Sequence, residues 1–138
     1  MGVLVLGYDG SDCANAALDE AINLAKSLDH RIVVGFGYGP GGPGEEFIAT
    51  RDMIRQVGER VTSEGRERAR AKGVEIEVEL VDERPTEALL SLAEKHDAHA
   101  IVVGTYGEHP IRGALLGSVP NKLLHLSKRP VLVVPASG

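Results

Sequence analysis

The 138-residue chain carries 17 glycines, three tyrosines, two phenylalanines, no tryptophan, one cysteine and a net charge of −5. That length fits one domain, 1–138, around one aliphatic core, and 43% hydrophobic residues exclude a disordered chain. The acidic balance argues against nucleic acid or an anionic membrane as partner, no apolar run approaches the ~20 residues of a membrane span, and the lone Cys13 excludes an internal disulfide or a multi-cysteine metal cage.

Val3 to Tyr8 is a short apolar run closed by Asp9-Gly10-Ser11, which reads as a buried strand and a turn. From Asp12 the period changes. Ala14, Ala17, Leu18, Ala21, Ile22, Ala25 and Leu28 recur at three- and four-residue steps, a helix with Ser11 as N-cap. Arg31 to Phe36 is a second apolar strand, followed by a loop, Gly37 to Gly44, too rich in glycine and proline for a regular element.

Glu45 to Lys72 reads as a long helix, with an early apolar stripe (Phe47, Ile48, Ile54, Val57, Val61), a polar later half and Gly73 as its stop. Val74 to Leu80 alternates apolar and acidic residues, a strand with one wet face, at a sheet edge or on a partly covered face. Thr86 to Lys95 is a helix, Ala100 to Gly104 a buried strand, 105–117 a loop, Ser118 to Leu126 a helix and Val131 to Val134 a last strand. This β-α alternation implies an α/β domain: an open, mainly parallel five-stranded sheet with helices on both faces. Ligands in such sheets sit beyond the carboxyl ends of the strands, which points to Asp9, Phe36 and Gly104.

The most informative pattern is Gly104-Thr105-Tyr106-Gly107, nine residues, then Gly117-Ser118 at a helix start. Glycines let backbone amides approach an anion, and a helix start offers unpaired N–H groups and a positive dipole end. Arg112 in the same loop can neutralise a phosphate. Twelve of the 17 glycines fall at or just past the ends of strands one, two and four, as do Tyr8, Phe36, Tyr38 and Tyr106. From His109 onward there are four basic residues and no acid, which leaves −9 on the rest.

That glycine spacing, followed by Pro130-Val131-Leu132-Val133-Val134, resembles the ATP-binding branch of the universal stress protein family, as does the opening Val3 to Ser11. The resemblance runs from the first strand to the last. It implies a Rossmann-like, adenine nucleotide alpha hydrolase-like sheet of order 3-2-1-4-5 that binds ATP, with Mg²⁺ held through the phosphates. Position by position, Asp9 matches a residue near adenine and ribose, and Phe36 one that meets adenine through its backbone. Gly104, Gly107, Gly117 and Ser118 match the ribose and phosphate cradle, with Val119 beside it. Tyr8, Gly35, Thr105, Arg112 and Gly113 complete the candidate ligand-contacting set. The resemblance further implies a homodimer through the last strand, Val131–Val134.

Three departures stand out. Gly35-Phe36-Gly37-Tyr38 replaces an aliphatic strand end, Glu83-Arg84-Pro85 stands where the family has Gly-x-Pro, and Pro120 removes one amide from the cradle. Gly37 to Gly42 formally matches the dinucleotide fingerprint, but Pro40 and Pro43 interrupt the helix that this motif requires. No histidine accompanies Ser11 or Cys13 in sequence, and the five histidines show no metal spacing. Lys128 precedes the last strand's apolar run, so a phospho-acceptor reading of Asp9 and Asp12 lacks its lysine. The chain is thus expected to be a nucleotide-binding regulatory protein rather than an enzyme, with ATP hydrolysis at most slow. The N-terminus shows no secretory signal, which gives a cytoplasmic expectation. The alternatives are the family branch that binds no nucleotide and a slow ATP hydrolase.

Overall fold

The computed structural model describes residues 1–39, 45–106 and 116–136, with side chains omitted for 45–49. The expected loop positions 40–44 and 107–115, and the side chain of Phe47, lie outside the described residues. In chain order the elements are β1 (Val3–Gly7), α1 (Asp12–Leu28), β2 (Arg31–Gly37), α2 (Glu45–Ala71), β3 (Glu77–Val81), α3 (Pro85–Lys95), β4 (Ala100–Gly104), α4 (Ser118–Leu126) and β5 (Val131–Val134). All pairings are parallel, in the order β3-β2-β1-β4-β5. This is the open α/β sheet expected from the alternation. Strand order reverses between β1 and β4, which makes that junction the switch point.

The strands bury both faces because each alternates its aliphatic residues between two cores. Leu4, Leu6, Ile32, Val34 and Val102 point toward α1 and α2, while Val3, Val5, Val33, Ile101 and Val103 point toward α3 and α4. The largest fully buried side chains are all leucine, isoleucine or valine, each contributing ~1.5–3 kcal/mol. With so few large rings available, the core is filled by branched aliphatics.

Local chemistry sets the element ends. The Ser11 hydroxyl accepts from the Ala14 amide at 3.2 Å, the expected cap of α1. Pro85 occupies the first position of α3, one residue before the expected start, where its missing N–H had no helical partner. Strand β3 begins at Glu77 rather than Val74. Gly73 takes a left-handed φ of 81°, and the Val74 amide returns to Ala69 O at 3.0 Å, so residues 73 to 76 finish α2 and bury Ile76 before pairing starts. Of the acidic positions of β3, Glu77 faces water, while Glu79 is partly covered by α3. Glu79 pairs with Lys95 at 2.6 Å and with His96, and Lys95 first, then His96, hold its carboxyl below the usual range.

The carboxyl half of α2 is clamped to α1. Asp19 accepts two bonds from the Arg68 guanidinium, at 2.9 and 2.8 Å, and pairs with Lys72 at 2.7 Å, while the Lys72 carbonyl accepts from Lys26. The Arg68 bonds above all lower the Asp19 pKa from 3.8 to about 2. A depressed carboxylate stabilises the fold above its unfolded pKa, and that contribution is lost as pH falls through the folded value. Asp19→Asn is therefore expected to cost at most about 1 kcal/mol at neutral pH, given the partial exposure of the pair. The difference from wild type should shrink from about pH 4 downward and vanish only below about pH 2 in urea unfolding. A difference that persists undiminished at about pH 1 would locate the effect elsewhere.

Candidate nucleotide site

A cavity of about 380 Å³ opens at the carboxyl edge of the sheet, where β1, β2 and β4 end, within the ~300–1,000 Å³ of small-molecule sites. On the β1 side, Asp9 sits at the mouth of the turn into α1. Its Oδ1 accepts from the Ser11 amide at 3.0 Å, and Gly10 supplies the left-handed residue of the turn, with φ 83°. Across the cavity, Gly117, Ser118 and Val119 begin α4. Gly117 is the N-cap and its amide donates to Thr105 O at 2.7 Å. The first bond within the helix is Asn121 N–H to Gly117 O, and Pro120 has no N–H. Two amides, those of Ser118 and Val119, are thus the first-turn donors toward the cavity side. Among the described residues that line it, Asp9 is the one charged side chain.

The structure brings Tyr8, Asp9, Gly35, Phe36, Gly104, Gly117, Ser118 and Val119 to one cavity. Thr105 is not among its walls. It is a tie instead: its amide donates to Val134 O at 3.1 Å, its carbonyl accepts from Gly117, and its hydroxyl meets Cys13 Sγ at 3.4 Å. Thr105 therefore fixes the start of α4 relative to β5 and α1. Gly107, Arg112 and Gly113 lie outside the described residues.

The glycines and rings have jobs besides a ligand. A Cβ on Gly104 would lie 2.6 Å from the Cβ of Cys13, and one on Gly35 would lie 2.6 Å from Leu92 Cδ1, so both admit protein neighbours where approach to a ligand was expected. Gly37 and Gly39 abut the backbone of Glu83 to Pro85, and Gly39 N–H donates to Glu83 O at 2.9 Å, so the glycine-rich segment begins as a close-packed connection.

The ring of Tyr8 packs on Gly65 of α2. Its hydroxyl donates to Asn15 Oδ1 at 2.7 Å, and burial first of all pushes its pKa up. The Phe36 ring packs on Gly58, one heptad earlier on the same helix, while Arg55 covers Tyr38 at 5.6 Å. Three of the rings at this edge, Tyr8, Phe36 and Tyr38, thus lean on α2, which carries Ile54 to the cavity. Ile54, Pro85 and Leu89 complete much of the wall beside Pro120, and no motif in the sequence marks these three as ligand contacts. The available signal was the α2 apolar stripe for Ile54 and the glycines at 7 and 35, whose missing side chains Leu89 fills.

Among the described residues no group of three or more His, Cys, Asp or Glu is placed to hold a metal, and no helix is long and apolar enough to cross a membrane.

A doubly wound α/β domain with a small-molecule cleft at its switch point is the class that fold and site define. The chain belongs to the universal stress protein family, whose model matches residues 1–135. It is 33% identical over 138 residues to a universal stress protein of Methanocaldococcus jannaschii, covering 95% of this chain and 80% of that one. It is 30% identical over 147 residues to the universal stress protein YxiE of Bacillus subtilis, covering 95% and 97%. It also superimposes on the crystal structure of a universal stress protein in complex with cAMP, with a TM-score of 0.78, 31% identity and coverage of 99% and 98%.

Proposed function

We propose that this chain binds an adenine nucleotide, ATP, in the cavity between Asp9 and the start of α4, and acts as a nucleotide-dependent regulatory protein in a stress response. The observation that carries the reading is the placement of the cavity. It lies at the switch point, with a carboxylate acceptor for ribose hydroxyls at one side and open helix amides for phosphate at the other. In this reading Mg²⁺ is brought by the phosphates. The protein works by changing the surface it offers once the ligand is seated, not by turnover, and it pairs as a homodimer through the outer edge of β5. That edge is apolar, and Leu132 on it is 38% exposed.

A second reading has its own support. The relative bound to cAMP is 31% identical along nearly the whole chain. The described wall offers two first-turn amides, those of Ser118 and Val119, which can seat one phosphate.

Mass spectrometry of ligand released on denaturation, with thermal unfolding in ATP, AMP and cAMP, separates the two. A ligand at 100 times its Kd should stabilise the fold by about 2.7 kcal/mol. ATP producing the largest shift supports the first reading, and cAMP or AMP the second. An empty protein whose unfolding ignores all three overturns nucleotide binding. Steady-state phosphate release from ATP tests the absence of turnover.

A further inference from the structure

At the opposite, amino end of the sheet, two histidines close over the entrance to β1. His30 ends the α1–β2 turn and His99 ends the α3–β4 turn, so they stand on the two strands that flank β1. The Gly2 amide donates to His30 Nδ1 at 3.2 Å, and His30 Nε2 faces His99 Nδ1 at 2.9 Å, the rings meeting edge to face at 66°. A Cβ on Gly2 would lie 2.6 Å from His30 Nε2, so this imidazole lies directly on the glycine.

The direction of the first bond fixes the protons. A backbone N–H can only donate, so His30 Nδ1 is an unprotonated acceptor. In a neutral ring the proton is then on Nε2, which donates to His99 Nδ1, and His99 carries its own proton on Nε2. Three nitrogens and two contacts are satisfied only while both rings are neutral.

One added proton must break a bond. Placed on His99 Nδ1 with His30 unchanged, it sets two N–H groups against each other. Placed on His30 Nδ1, or on His99 with His30 changing tautomer, it keeps the ring–ring bond and makes it charge-assisted, but sets N–H against the Gly2 amide. The second arrangement retains the stronger bond. We propose that the His30–His99 pair is a proton-sensitive latch on the segment entering β1: neutral, it holds the Gly2 amide, and the first proton it takes up releases that amide.

The charged groups on the elements that meet here are the Met1 amino group, Asp29, Arg31 with its partner Glu77 on β3, and Asp97 with its partner Arg129 ahead of β5. Arg31 and Asp97 are thus engaged with other residues. The neighbouring backbone bonds, Arg31 N–H to Gly2 O and His99 N–H to Val3 O, at 3.0 and 2.8 Å, involve no ring and should survive.

The test is nuclear magnetic resonance of the whole ¹⁵N-labelled chain from about pH 8 to about pH 5, a range that spans ordinary histidine titration. At the alkaline end both rings should carry their proton on Nε2. On acidification the Gly2 amide proton should lose its hydrogen-bonded downfield shift in step with ring titration, while the Arg31 and His99 amides hold theirs. In His30→Phe, and in Gly2→Ala where the new methyl displaces the ring, the residue-2 amide should start at its acid position and stay there. A wild-type Gly2 amide that does not move overturns the latch. So does one that moves equally in His30→Phe, or a His30 ring protonated on Nδ1 at pH 8. Zinc added at pH 8 should leave both rings unshifted, because the facing Nε2 already holds a proton. A zinc-induced shift of both rings would make the pair a metal site and overturn the proposal.

Discussion

Replacing Gly104 with alanine should destabilise the protein by about 3 kcal/mol, the upper end of the overpacking range. The added methyl would sit 2.6 Å from Cys13 Cβ, 2.7 Å from Cys13 C and 2.8 Å from Cys13 O. Two of those three atoms are backbone in the first turn of α1, and that turn is fixed by the Ser11 cap and the Asp9 carboxylate. No rotamer change relieves the contact, so α1 or β4 has to move. Gly7→Ala is the control. Its methyl would meet Leu89 Cδ1 at 2.8 Å and Val103 Cγ1 at 3.0 Å, both ends of side chains that can turn, and should cost nearer 1 kcal/mol. Cys13→Ala in the Gly104→Ala background should restore nothing, since the clashing Cβ remains, whereas Cys13→Gly should recover part. Urea unfolding of the set decides it. A Gly104→Ala protein within about 0.5 kcal/mol of wild type would mean that α1 and β4 do not approach so closely.

The same contact shows what a single sequence discloses. The change from apolar runs to three- and four-residue steps marked α1 and the start of α2, and chain-local chemistry such as Ser11 before α1 or Gly73 after α2 marked several ends. The deviations arise where one local pattern fits two structures or where the deciding partner is distant in sequence. Val74 and Ile76 alternate with glutamates as a strand would, yet Val74 is held by Ala69 in the turn that ends α2. Gly104 reads as an opening for an anion and Gly35 as part of the ligand wall, and both do line the cavity, but the space over each is also claimed by a side chain, Cys13 at 104 and Leu92 at 35. Nothing in the sequence near either glycine names its neighbour.

The aromatic rings carry a related lesson. A glycine inside a helix costs about 1 kcal/mol relative to alanine, so Gly58 in the apolar stripe of α2 and Gly65 in its polar half ask for a reason. Seven residues apart, they lie on one helix face and receive the rings of Phe36 and Tyr8 from the ends of β2 and β1. The spacing was visible, but the rings belonged to other elements. Since Phe36 borders the cavity and also seats α2, a ligand pressing on that ring would press on the helix. This gives the proposed regulation a physical route from the site to the surface of α2.

Asp9→Ala should weaken nucleotide binding by roughly 10–100-fold, the value of about 1.5–3 kcal/mol for a hydrogen bond to a charged acceptor. Asp9 already gives one oxygen to the Ser11 amide, so the alanine variant also loses the bond that shapes the turn, with about 1 kcal/mol of stability. Asp9→Asn separates the two effects. Its amide oxygen can still accept from Ser11, so stability should stay near wild type, while the second carboxylate oxygen becomes an NH₂ donor and binding falls about 10-fold. A ligand-side cycle isolates the ribose contact. Calorimetry with the nucleotide and its 2′-deoxy form should show a penalty for the missing hydroxyl in wild type and none in Asp9→Ala. If the carboxylate serves the turn alone, the deoxy penalty will be equal in both proteins, and the β1 edge of the cavity will have to hold its ligand through the backbone.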